Sequence, residues 1–212
     1  METLYKVLGA NGKSVNGGKA RWLLPHGGLP GEWMPKVTGK IVACQNGYHL
    51  CREGDLIKWL GTTIWEAEYR GARKDDTDKI VVRQARLVRK VDTWNERTAR
   101  LFACDCAERA LTLLDKPDAR STEAVRVARL FAVGEATKEQ LSAAERAARS
   151  AAESAAESAA WGAARSAAWS AAESAAESAA WSAAWGAARS AAWSAAHSWM
   201  TERLFQYLRG EA

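Results

Sequence analysis

The sequence predicts an α+β protein in two parts, a small curled, mainly-β N-terminal domain and an all-α, alanine-rich region of long or folded-back helices. Three observations carry this. Short apolar runs separated by Gly- and Asn-rich turns fill the first ninety residues; capping signals and a helical apolar period begin near Asp92; and from Ser142 to Ser198 the chain repeats a tetrapeptide of the form Ser/Gly-Ala-Ala-x. The domain boundaries follow as 1–91, a two-helix connector at 92–135 and the repeat region at 136–212.

In the first part, LYKVL reads as a strand and NGKSVNGG as turn chemistry. Trp22 to Pro35, with its prolines and glycines, reads as an irregular loop. KIVACQNGYHL reads as a strand, an Asn-Gly turn and a second strand. Glu53 to Leu60 has helical spacing, with Gly61 as its cap. TIWEAEYRG alternates Ile64, Glu66 and Glu68 against Trp65, Ala67 and Tyr69, a half-buried strand. RKDDTD is a charged loop, and KIVVRQARLVRKV a strand pair or one long bent strand.

In the connector, Thr93 and Glu96 fit a capping box ahead of a helix with Leu101, Cys104, Ala107, Leu111 and Leu114 on one face. Ser121 is the expected cap of a second helix, which turns Val125, Ala128 and Phe131 inward and ends at Gly134. Thr137 and Gln140 form another capping box, and the helix they open has no obvious stop before Gly210.

Alanine favours the helix more than any other residue, and about 70 residues at ~1.5 Å each would make a rod on the order of 100 Å. A period of four does not match 3.6: the variable positions drift about 40° per repeat, so one straight helix has no fixed apolar face. Right-handed supercoiling, fold-back near Gly162 and Gly186, or association between chains would each resolve the mismatch. Trp161, Trp169, Trp181, Trp185 and Trp193 carry too much apolar surface to stay wet, which favours fold-back or assembly. With Arg165 and Arg189 they form an aromatic and cationic ladder that serves self-packing or grips a protein partner. The tail, with Trp199, Leu204, Phe205, Tyr207 and Leu208, recovers ordinary amphipathicity and should dock.

The formal charge is +5, and residues 1–90 carry a surplus of seven positive charges, sixteen Lys and Arg against nine Asp and Glu. Their scatter reads as a solvated surface, with nucleic acid the weaker alternative. The first residues hold no apolar signal segment and no stretch has the bulk to span a bilayer, so membrane partners are not expected. With four cysteines as reduced thiols, the expected location is cytoplasmic.

Cys44-x-x-Gly47-Tyr48-His49-x-Cys51 is the sharpest local motif. Its two Cys and one His offer three zinc ligands, with Cys104 or Cys106 as a fourth. The Cys-x6-Cys spacing is not that of a zinc knuckle, however, and core packing is the preferred reading, with no metal or cofactor assigned. Cys104 and Cys106 sit two apart on a helix, about 200° from one another, and also read as core. Glu66 and Glu68 share a strand face, which a general acid/base pair would need but a solvated sheet face supplies more often. His26 has no catalytic partner in the sequence, and no phosphate-cradling or dinucleotide fingerprint is present.

The motif residues Cys44, Gly47, Tyr48, His49 and Cys51, with the helix and alternating strand after them, resemble a domain of unknown function found in phages and prophage-bearing bacteria. WNERTARLFACDCAERAL and the sequence running into the repeats are similar to alanine-rich helical immunity proteins of toxin systems. Neither resemblance implies a catalytic residue. Together they imply a non-enzymatic binding or inhibitory protein of phage or mobile-element origin, acting on a protein target or by self-association. The alternatives are an enzyme or small-ligand binder with a cleft near His49, His26, Tyr48 and Glu66, and a structural phage part using the helix as a rod.

Overall fold

The computed structural model describes residues 2–9, 11–15, 17–113, 115–147, 150 and 194–212. The chain divides into two units, one formed by Met1–Glu96 with His197–Ala212 and the other by Arg97–Ala196. The last sixteen residues therefore do not belong with the repeat, where the sequence boundaries had put them. Leu204, Phe205, Tyr207 and Leu208 break the alanine pattern and are all buried.

The first unit is an antiparallel sheet of four strands, β1 (Leu4–Leu8), β2 (Tyr48–Leu50), β3 (Thr63–Asp75) and β4 (Ile80–Lys90), in the order β1-β3-β4-β2. β3 and β4 form one long hairpin, and β4 is a single strand. The charged run expected as a loop is shorter than its composition indicates, because Arg73, Lys74 and Asp75 still pair with Val82, Val81 and Ile80. Register shifts at Glu66/Ala67 and Arg70/Arg73 bend this hairpin. The bend carries the outer strands β1 and β2 toward each other, and Tyr5 and Cys51 exchange two backbone hydrogen bonds of 2.9 and 2.8 Å. The sheet thus curls into a half-barrel pinned at one rung.

Inside the curl lies the core of Leu4, Leu8, Trp22, Met34, Leu50, Trp65, Ala67, Ile80, Val82, Ala85 and Leu87. The loop from Trp22 to Pro35 is irregular, as its prolines require. Even so, Gly31, Met34 and Val37 donate backbone N–H groups to Leu87, Ala85 and Arg83, extending the edge of β4 beyond the three residues β2 covers. On the other side of β1, the ring of Phe205 meets that of Tyr5 edge-on at 5.6 Å, and the Thr93 hydroxyl donates to the Leu208 carbonyl at 2.6 Å. Residues 194–209 are helical, and Gly210, at φ 72°, ends the helix.

Two local expectations change. The helix α1 (Glu53–Leu56) spans only four residues, and Gly61 does not cap it. Gly61 is instead a close-approach position: a Cβ there would lie 2.8 Å from Val7 Cγ1. The turn before β2 falls at residues 43–45, closed by the Val42–Asn46 bridge, and not at Asn46-Gly47.

The second unit holds α2 (Glu96–Thr112) and α3 (Ala119–Val133), linked by side-chain contacts. Arg129 binds Asp105 and Glu108, each at 2.7 Å, and Arg100 lies over the Phe131 ring. The buried face of α2 is Phe102, Cys104 and Asp105; of the expected stripe Cys104 is buried, whereas Leu101, Ala107 and Leu111 are only half-buried. Asp118, not Ser121, caps α3 by accepting from the Arg120 N–H. That choice has a plain reason: the Asp carboxylate is a stronger acceptor and precedes the first turn. Val127 and Ala132 are the buried residues of α3. Gly134 ends the helix in the left-handed conformation, and the Thr137–Gln140 capping box forms in both directions.

Candidate functional site

Along β1 the pleat puts Leu4, Lys6 and Leu8 on one side. Leu4 and Leu8 are core residues, so Lys6 projects a cation toward the interior of the curl. It emerges into a cleft of about 670 Å³ whose lining includes Trp22, Tyr48, His49, Trp59 and Lys79. Lys6 Nζ donates to the His49 carbonyl at 3.1 Å and lies 5.2 Å from the centre of the Trp22 ring. Among the described residues it pairs with no carboxylate. Burial therefore dominates its titration and lowers its pKa from 10.5 to about 8.

The aromatic walls are fixed by their polar ends. Trp22 stands edge-on to Tyr48 at 5.5 Å, and its indole N–H donates to Ser14 Oγ. Tyr48 donates its hydroxyl to the Pro35 carbonyl at 2.8 Å. Trp59 donates to the Asp78 carbonyl, with Lys79 above its ring. Lys79 is bound by Asp78 at 2.7 Å, and this hydrogen bond raises its pKa, so it remains a paired cation beside the unpaired Lys6.

Each residue of the motif has a structural task here. Gly47, at φ 140°, passes so close to β4 that a Cβ would lie 2.4 Å from Val81 Cγ1. Cys44 is exposed, takes the left-handed conformation at φ 62°, and donates its backbone N–H to His49 Nε2 at 2.8 Å. Burial, with the charges of Lys6 and Lys79, lowers the pKa of His49, so the ring is neutral with Nε2 as acceptor. Cys51 is buried at the rung with Tyr5, and burial pushes its thiol up to about 12.

The zinc reading loses its geometry in this arrangement. Nε2 of His49 already accepts the Cys44 backbone N–H, and Cys51 is buried at the rung while Cys44 is exposed. Among the described residues, no three His, Cys, Asp or Glu side chains converge on a metal position. The paired-acid reading also fails: Glu66 and Glu68 are bound by Arg89 and Arg86 on the neighbouring strand. The cleft brings Tyr48 and His49 together, while Glu66 lines a different crevice beside Tyr5 and Phe205, and His26 is exposed in the loop. Trp161, Arg165, Trp169, Trp181, Trp185, Arg189 and Trp193 lie outside the described residues.

Lys6 is the site residue that sequence reasoning missed. Its signal was available: within LYKVL it falls on the Leu4/Leu8 side of the alternation, where a charge is out of place.

No protein family, curated protein or solved structure matches this chain. Among the described residues, no helix is long and apolar enough to cross a membrane.

Proposed function

We propose that the first unit is a small-ligand-binding module whose ligand is a planar organic molecule held in the cleft between Trp22, Tyr48 and Trp59. The observation that carries this reading is the pairing of aromatic walls with one cation, Lys6, that has no carboxylate partner among the described residues. A concave site of this size with few convergent polar groups is the usual form of a small-molecule pocket. Ligand-observed NMR on the full chain tests it, using terephthalate and 4-formylbenzoate as planar probes. Saturation transfer that disappears in Trp59→Ala supports the reading, and no transfer to either probe removes it.

A second reading concerns the repeat, and one observation favours it. Residues 197–212 belong to the same unit as residues 1–96, so in sequence residues 97–196, which carry the repeat, are inserted within the first unit. The repeat from Ser142 to Ser198, with five tryptophans and four arginines, has the composition of an interface. In this reading the protein is a non-enzymatic binder of immunity or anti-defence type, meeting a toxin, a host factor or a second copy of itself through Trp161, Arg165, Trp169, Trp181, Trp185, Arg189 and Trp193. Replacing the five tryptophans by alanine should abolish assembly in light scattering, or capture of the target, while the first unit keeps its fold. Unchanged assembly and capture would remove it.

A further inference from the structure

We propose that Lys6 is a nucleophilic amine that captures a small conjugated aldehyde or ketone in the cleft as an imine. The inference rests on the ligand-binding reading of that cleft.

Position is the first argument. Lys6 comes from a strand whose other residues are all buried, so its backbone is fixed, and the chain of methylenes reaches the cleft along the Trp22 face. Its Nζ is anchored by a single described hydrogen bond, to the His49 carbonyl, an acceptor that either an ammonium or a neutral amine can satisfy. A carboxylate beside it would hold the nitrogen protonated; a backbone carbonyl does not.

Protonation is the second argument. With a pKa of about 8, the free amine at pH 7 is roughly a tenth of the population, against about three in ten thousand for an ordinary lysine. Selectivity over exposed lysines is therefore built into the fold.

The walls supply the third argument. An imine-forming carbonyl conjugated to a flat π system can stack against Trp22 and Tyr48 while its carbonyl carbon meets Nζ. The lone pair of Nζ adds to that carbon and the C=O π pair moves to oxygen. Nitrogen loses a proton and oxygen gains one through solvent, giving a carbinolamine. Departure of one water leaves C=N, with no oxidation or reduction. The reaction is reversible, as capture by a binding protein requires.

The test uses the unaltered full-length chain, so folding of a variant does not enter. It is incubated with 4-formylbenzoate and cyanoborohydride, which delivers hydride to C=N and fixes the adduct, and peptide mass spectrometry measures labelling at each lysine. The expected result is labelling at Lys6 at least ~10-fold faster than at the exposed Lys36 and Lys40. The rate should rise with pH through an inflection near 8 and fall when terephthalate occupies the cleft. Saturation transfer from 4-formylbenzoate without preferential labelling of Lys6 overturns the imine and leaves the ligand-binding reading standing. Absence of both transfer and labelling overturns the two together.

Discussion

The backbone N–H of Cys44 donates to Nε2 of His49 across 2.8 Å, closing the turn that leads into β2. This bond makes the motif a folding device. It secures a non-glycine residue in the left-handed conformation, which costs on the order of 1 kcal/mol, and it needs a neutral imidazole.

Acid should therefore loosen this corner. The folded pKa of His49 lies below its unfolded value of 6.5. Between the two, the unfolded chain binds more protons, so stability is full above pH 6.5 and falls as pH drops through the folded pKa. Denaturant unfolding at successive pH values should show this slope, and His49→Gln should flatten it. A slope that survives the substitution contradicts the role given to His49.

Lys6 titrates with the same sign in a different window. Its folded pKa of about 8 is below the unfolded 10.5, so stability should rise as pH increases from 8 to 10.5. At neutral pH the charged amine is a net cost, and Lys6→Met should stabilise the first unit by about 1–2 kcal/mol. A destabilised Met variant would show that the cation–π contact with Trp22 outweighs desolvation.

Phe205→Ala should cost about 3–4 kcal/mol, since it removes a buried ring packed on Tyr5. Tyr5 reports the change directly. Burial, aided by Glu53 and Glu66, pushes its hydroxyl up to about 12, and uncovering it should return the value toward 10 in a spectrophotometric titration.

Gly47→Ala should be among the most damaging single-methyl additions in the chain, on the order of 3 kcal/mol, because the added carbon meets Val81 and the backbone resists a side chain at φ 140°. Gly54→Ala, where a Cβ meets nothing within 4 Å, is the matched control. Equal midpoints for the two variants would exclude the close approach.

The strands of the first unit were legible because their period survives locally: Trp65, Ala67 and Tyr69 do face the core opposite Glu66 and Glu68. The caps at Gly134 and Thr137 were legible for the same reason, since each depends on residues within one turn. Most of what escaped depends on distant partners. The loop paired along β4 is set by contacts many residues away, and the turn at 43–45 by the direction of one local hydrogen bond to His49. The Asp105–Arg129 pair spans two helices, and a stripe of apolar positions on one helix does not reveal it. Of the site, the motif was visible as a motif, but its use for turn closure in place of metal binding needed the direction of one imidazole nitrogen. The ladder of the repeat remains a reading of composition and period.

The docking of Phe205 and Leu208 against Tyr5 and Thr93 also sets a schedule for biosynthesis. Those residues leave the ribosome more than a hundred residues after Glu96, a delay of roughly 5–20 s at common elongation rates. Throughout that interval the outer face of β1 is uncovered and sticky. The contacts that finish this face form only when the last turns of the C-terminal helix have been made.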